Sequence, residues 1–262
     1  MQVTLALAQS GYPTDGDVLA QVEGYATEAQ AAGADLLAFP EDLMCPRHLS
    51  STELRELAEP LDGPFASTLC DIAARHGLWL VATMFEANPV GNPPFNTALV
   101  IDDAGTVRGS YRKCHLYDAH GVLESRRTSA GNALFRPVNT PFGRLGLGIC
   151  YDLRFPELAR AEALAGCDLL IYPACWYDGP HKREHWQTLL QARAIENELF
   201  VAGICHAGGN FVEDSLVADP LGRILTPEVT GEALLVTSIE TQEAASAREA
   251  MPLLAHRRPD LY

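Results

Sequence analysis

Nine residues near the start of the chain recur almost unchanged in its second half. Ala32-Gly33-Ala34-Asp35-Leu36-Leu37-Ala38-Phe39-Pro40 returns as Ala165-Gly166-Cys167-Asp168-Leu169-Leu170-Ile171-Tyr172-Pro173. Each copy follows a helix-forming stretch with glycine as the stop, then runs through apolar residues to proline, the pattern of a short strand buried on both faces. A second echo pairs Leu99-Val100-Ile101-Asp102-Asp103-Ala104-Gly105 with Leu216-Val217-Ala218-Asp219-Pro220-Leu221-Gly222 as strand and turn. Two echoes so long and so few do not make a solenoid. They predict two pseudo-symmetric halves of mixed helix and strand. Helices cover one face of each sheet, and the remaining faces bury each other. The expected fold is α/β, a four-layer α-β-β-α sandwich forming one domain over residues 1–262.

Taken in order, Val3, Leu5 and Leu7 alternate as a strand through Gln9, and Asp17 to Ala32 reads as a helix. Ser50 to Glu59 and Gly63 to His76 read as helices, and Gly77 to Thr83 as a strand. Asn96 to Ile101 and Thr106 to Tyr111 form a hairpin about an Asp/Gly turn. Tyr117 to Thr140 has no periodic signal, and long loops of that kind in compact domains are often functional. Phe155 to Ala165 and Lys182 to Asn197 then read as helices, and Leu199 to Ile204 and Glu232 to Ile239 as strands.

Composition narrows the function classes. A formal charge of −15 argues against a nucleic-acid backbone as partner. No apolar run approaches a membrane span, and Met1-Gln2-Val3-Thr4 lacks a basic segment, so a cytoplasmic protein is expected. The seven cysteines are odd in number, with no CxxC pair, and read as free thiols. His181 and His185 have helical spacing, but no third ligand or HExxH pattern accompanies them, so no metal is expected. Of the 19 basic residues only Lys113 and Lys182 are lysines. A lysine kept amid such an arginine bias suits a place where a compact ammonium is needed.

The chemistry points to Gly143–Glu157. Leu145, Leu147 and Ile149 alternate with glycines, which suits a strand packed against another backbone, and Pro156 suits the first turn of a helix. Cys150 falls on the elbow between them, where helix N–H groups and the dipole favour a thiolate. A buried structural thiol is the alternative. Glu41 leaves one buried strand and Lys113 another. If those strand ends share one edge of the paired sheets, a carboxylate, an ammonium and a thiol meet in one crevice. Such a set suffices for attack on an amide: a base for the thiol, positive charge for the oxyanion, and a proton for the leaving nitrogen.

Phe39-Pro40-Glu41, Tyr111-Arg112-Lys113-Cys114-His115-Leu116 and Gly148-Ile149-Cys150-Tyr151-Asp152-Leu153-Arg154-Phe155-Pro156-Glu157 resemble, in order, the three signature motifs of the nitrilase superfamily of carbon–nitrogen hydrolases. Gln191–Asn197 and Arg257–Tyr262 resemble later motifs of the branch holding omega-amidases and deaminated-glutathione amidases. The resemblance implies a Glu-Lys-Cys triad, no cofactor, and homodimers in which elbow helices and tails (240–262) meet. It places the family's second glutamate at Glu124. The roles expected are Cys150 as nucleophile forming a thioester, Glu41 as base, and Lys113 with the Tyr151 backbone N–H as oxyanion donors. Glu124 would hold Lys113. Cys175 and Trp176, in a charged segment running to Trp186, are expected to line the substrate pocket. Arg154 either clamps a substrate carboxylate or makes a salt bridge with Asp152 or Glu157. The expected reaction is hydrolysis of a small carboxylate-bearing amide, such as an omega-amide of a dicarboxylate, to acid and ammonia. An N-carbamoyl amide hydrolase is the enzymatic alternative, and a non-catalytic scaffold the alternative of another class.

Overall fold

Both copies of the nine-residue repeat build the same junction. The structure, a computed structural model, describes residues 1–14, 16–45, 49–89 and 91–261. The first copy joins α1 (Val18–Ala31) to β2 (Leu36–Ala38), and the second joins α4 (Pro156–Leu164) to β8 (Leu169–Ala174). Gly33 and Gly166 take φ of +72° and +86° at the helix stops. The next residue in each copy closes a six-to-one bond, Ala34 N to Ala29 O and Cys167 N to Glu162 O. The repeated aspartates then grip the neighbouring strand. Asp35 accepts from Thr4 N on β1 (Gln2–Gln9) at 2.8 Å, and Asp168 from Arg144 N on β7 (Gly143–Leu147) at 2.9 Å.

The symmetry extends to the sheets. β3 (Trp79–Glu86), β4 (Phe95–Ile101), β5 (Val107–Arg112) and β11 (Ala233–Glu240) complete one sheet in the order β11-β1-β2-β3-β4-β5. β6 (Val138–Thr140), β9 (Phe200–Cys205) and β10 (Leu216–Ala218) complete the other in the order β10-β9-β8-β7-β6. β1, β2 and β3 run parallel with antiparallel neighbours at each side, as do β7, β8 and β9. The second echo is an aspartate turn after β4 and β10. Asp102 accepts from the N–H groups of Ala104 and Thr106, and Asp219 from those of Leu221 and Arg223.

Alternation of side chains decides the layers. Leu5, Leu36, Val81 and Val100 share a core with Leu145, Leu147 and Ile171 of the second sheet. Their neighbours Ala6, Leu37, Leu80 and Leu99 pack instead on α1 and α3 (Pro64–His76). α4 and α5 (Lys182–Asn197) cover the second sheet through Leu158, Trp186 and Leu190. The sandwich is therefore helix, sheet, sheet, helix.

Three details differ from the sequence expectations. α2 is shorter than expected, Ser51–Leu57, opened by a capping box between Ser50 and Glu53. α6 (Gln242–Ala250) follows β11, where no helix was expected. The glycines of β7 make room for side chains rather than a backbone: a Cβ at Gly146 would sit 2.7 Å from Glu162 Oε2 and 2.8 Å from Cys167 Sγ. No helix among the described residues is long and apolar enough to cross a membrane.

Candidate active site

β5 ends at Arg112, and the next residue, Lys113, turns a fully buried ammonium inward. Its backbone is fixed on both sides, N–H to Asn96 O and carbonyl to Gly131 N. Lys113 Nζ donates to Glu41 Oε1 at 2.6 Å and to Glu124 Oε1 and Oε2 at 3.0 and 2.9 Å. Burying one ammonium between two carboxylates is tolerable only when the remaining lone pairs are satisfied, and here they are. Glu41 Oε1 accepts from Asn96 Nδ2 at 2.9 Å, and Oε2 from Cys175 N at 2.9 Å. Glu124, in a single 3₁₀ turn of residues 124–126, accepts from Tyr117 N at 2.6 Å.

Cys150 comes three residues after β7 and is buried, with φ of +46°. Asp42, beside Glu41, has φ of +56°. Such backbone in a non-glycine residue costs about 1–3 kcal/mol and gathers at active sites. The elbow differs from the expected direct entry into a helix. A 3₁₀ turn, Cys150–Arg154, intervenes, and Pro156 then starts α4 at the position expected. Asp152 holds this turn. Its carboxylate accepts from Ile149 N at 2.9 Å, Tyr111 Oη at 2.9 Å, and His115 N and Nδ1 at 3.0 and 2.6 Å.

Cys150 opens on a pocket whose walls are the aromatic rings of Tyr117, Tyr151, Trp176 and Tyr177. Cys175 lines it as well and connects it to Glu41, while Tyr117 connects it to Glu124. Arg154 and Lys182 also face it. The Arg154 guanidinium lies 4.6 Å from the Trp176 ring, and Lys182 Nζ is 3.5 Å from Tyr117 Oη. Burial first, and the nearby Arg154 charge second, push the Lys182 ammonium below the usual lysine range, while Cys150 works in the opposite direction. Neither cation makes an ion pair among the described residues. Asp152 is committed to Ile149, Tyr111 and His115, and Arg154 lies over Trp176 at the pocket.

Lys113 thus contacts both Glu41 and Glu124, and Cys150, Tyr151, Arg154, Cys175 and Trp176 border one pocket. The sequence gives no role to Asn96 or Tyr117, whereas Tyr177 and Lys182 fall in the segment up to Trp186 expected to line the pocket. For Lys182 a signal existed, its rarity in an arginine-rich chain. For Asn96 there was none, because its partner Glu41 is 55 positions away.

Residues 4–249 match the family described as carbon–nitrogen hydrolase. A Mycobacterium tuberculosis protein named as a hydrolase is 36% identical, over 98% of this chain and 95% of its own. Deaminated glutathione amidase of Escherichia coli O157:H7 is 34% identical, over 88% of each chain. Among solved structures, the Caenorhabditis elegans NitFhit protein superposes with a TM-score of 0.90 at 31% identity, covering 100% of this chain and 66% of that longer one. An amidase mutant from Nesterenkonia superposes with a TM-score of 0.80 at 25% identity, over 100% of this chain and 95% of its own. It carries the acetamide moiety of fluoroacetamide covalently added at its active-site cysteine.

Proposed function

The chain belongs to the carbon–nitrogen hydrolase family and acts on amides, and from that premise we propose that Cys150 takes the acyl group of a small, carboxylate-bearing linear amide. The observation that carries this reading is Lys113 Nζ held between Glu41 and Glu124, with Glu41 bonded to the N–H of a residue lining the Cys150 pocket.

In this reading Glu41 removes the Cys150 thiol proton, and the sulfur adds to the amide carbon. The developing oxyanion is met by the Lys113 ammonium and the Tyr151 backbone N–H, donors each worth about 3–4 kcal/mol in such sites. Collapse of the tetrahedral adduct breaks the carbon–nitrogen bond, and Glu41 returns the proton to nitrogen, which leaves as ammonia. A thioester on Cys150 remains. Glu41 then takes a proton from water, whose oxygen adds to the thioester, and the carboxylic acid departs as the thiol is restored. Glu124, itself anchored by Tyr117 N, keeps Lys113 aimed. The covalent adduct on the Nesterenkonia amidase cysteine supports a covalent route.

Arg154 and Lys182 supply the substrate preference. Two cations without carboxylate partners among the described residues, at a pocket with aromatic walls, favour a substrate bearing an anionic group away from its amide. The relatives named deaminated glutathione amidase support that class. The working unit in this reading is a homodimer. A groove beside α4 is lined by Leu164, Glu196 and Arg257 of the tail, and Leu164 is 50% exposed. Tyr262, the last residue of the tail motif, lies outside the described residues.

The test is a panel of linear amides scored for ammonia and carbon dioxide. Ammonia without carbon dioxide from succinamate or 2-oxoglutaramate, at a rate well above that for amides lacking a carboxylate, is the expected result. Faster turnover of N-carbamoyl amino acids with carbon dioxide release contradicts the substrate assignment, and silence on every amide contradicts the function.

A further inference from the structure

Three strand ends meet at His206. It directly follows β9 of one sheet, while Ser10 directly follows β1 and Glu41 lies three residues past β2 of the other. The ring is buried, with 1% exposure. Nδ1 lies 2.8 Å from the Ser10 carbonyl oxygen, and Nε2 lies 2.7 Å from the Glu41 carbonyl oxygen. A carbonyl oxygen only accepts, so each contact requires an N–H on the ring, and a neutral imidazole has one. We propose that His206 is held as an imidazolium whose two N–H groups pin the main chain at Ser10 and Glu41, making it a positioning residue for the Glu41 carboxylate.

Burial opposes a charged ring, and three features oppose that effect. Both N–H groups are bonded, so the charged form alone satisfies every polar atom of the contact. The rings of Tyr12 and Phe211 approach His206 with centroids at 4.4 and 5.6 Å, and aromatic faces attract cations. The adjoining segments carry negative charge: Glu41 and Asp42 after β2, and Glu213 after β9, which accepts from Gly208 N and Gly231 N. Tyr12 after β1 and Cys175 after β8 are the other titratable neighbours, in contact with each other at 3.8 Å.

The consequence falls on Glu41. Its carboxylate is held by Lys113, Asn96 and Cys175 N, while its carbonyl accepts from His206 and from the Cys175 thiol at 3.3 Å. When His206 loses a proton, its bond to Ser10 or its bond to Glu41 is lost, and the link that ties the main chain carrying the base to the end of β1 is broken. This rests on the reading of Glu41 as the base, whereas the charge state of the ring does not.

The test pairs NMR with kinetics. Wild-type protein labelled with ¹⁵N-histidine is titrated, and His206 is assigned by the signals missing from His206→Gln. Both ring nitrogens should carry protons at pH 8, where a histidine with an ordinary pKa of about 6.5 is neutral. His206→Phe should lower kcat about 10–100-fold, with KM within about threefold, the scale of one lost charge-assisted hydrogen bond. His206→Gln, which cannot titrate, should keep an intermediate kcat and lack the alkaline step that coincides with the NMR midpoint in wild type. A singly protonated ring at pH 8 overturns the proposal, as does wild-type kcat in folded His206→Phe or an unchanged pH profile in His206→Gln. Absence of turnover in wild type overturns Glu41 as base, and the nitrogen signals alone then support or overturn the imidazolium.

Discussion

Asp152 Oδ1 stands 2.6 Å from His115 Nδ1, so the elbow that carries Cys150 and the strand end that carries Lys113 share one buried carboxylate. Any change that loosens this pair separates the sulfur from the ammonium. Asp152→Ala strips acceptors from Tyr111 Oη, Ile149 N and His115. Each unpaired buried group costs about 1–3 kcal/mol. The expected outcome is a lower melting temperature together with loss of turnover, with Asp152→Asn intermediate in both. Thermal unfolding and kcat measured on the same preparations check this, and a variant that melts with wild type contradicts it.

Removing the ammonium should cost more stability than removing either acid. Lys113→Ala leaves Glu41 and Glu124 facing each other without a cation, and breaking a buried pair costs about 3–5 kcal/mol. Glu124→Gln keeps the shape and the Tyr117 bond while weakening the hold on Lys113, so kcat should fall about 10–100-fold as the oxyanion donor drifts. Urea unfolding and single-turnover rates distinguish the two effects.

The pocket cations should be read in KM. Arg154→Leu and Lys182→Leu are each expected to raise KM for carboxylate-bearing amides about 10–100-fold, and to leave neutral amides within about threefold. The pH dependence follows from the lowered Lys182 titration. As pH rises, Lys182 loses its charge before an ordinary lysine does, so KM for the anionic substrate climbs early on the alkaline side. Lys182→Leu should abolish that climb.

Glu162 on α4 is 1% exposed, and burial pushes its carboxyl up from 4.5 to about 8. Between those two values the folded chain keeps a proton that the unfolded chain gives up. This contribution to stability is complete at acid pH and is lost as pH rises toward 8. Glu162→Gln should therefore raise the melting temperature at pH 8, by an amount equivalent to about 2–4 kcal/mol, and change little near pH 4.5. Melting curves across that range that run parallel for the two proteins contradict the assignment.

Much of this arrangement is legible in the sequence because it is local. The helix stops at Gly33 and Gly166, the aspartates two residues on, and the short apolar runs announce the two halves. Glu41, Lys113 and Cys150 are found by asking what stands at strand exits. α6 has a local signal too, since Gln242–Ala250 is rich in strong helix formers. β6 has none, being three residues in a stretch without period. Least legible are the residues that satisfy buried charge. Asn96 reaches Glu41 across 55 positions, Asp152 reaches His115 across 37, and His206 reaches Glu41 across 165. No local pattern encodes a polar partner that only the assembled sheets bring near.

The chemistry proposed for Cys150 is tested most directly by intact-protein mass, measured during turnover of a carboxylate-bearing amide. Burial pushes Cys45 and Cys205 up to about 12 and Cys167 well above its usual range, and it raises Cys70 and Cys114 as well, so these five thiols are quiet, while Cys175 in the same pocket donates its thiol to the Glu41 carbonyl. The account predicts one acyl adduct, lighter than substrate by ammonia, mapping to the Cys150 peptide and absent from an inactive Cys150→Ala protein. Wild-type turnover by Cys150→Ala, or an adduct mapping to another cysteine, would contradict it.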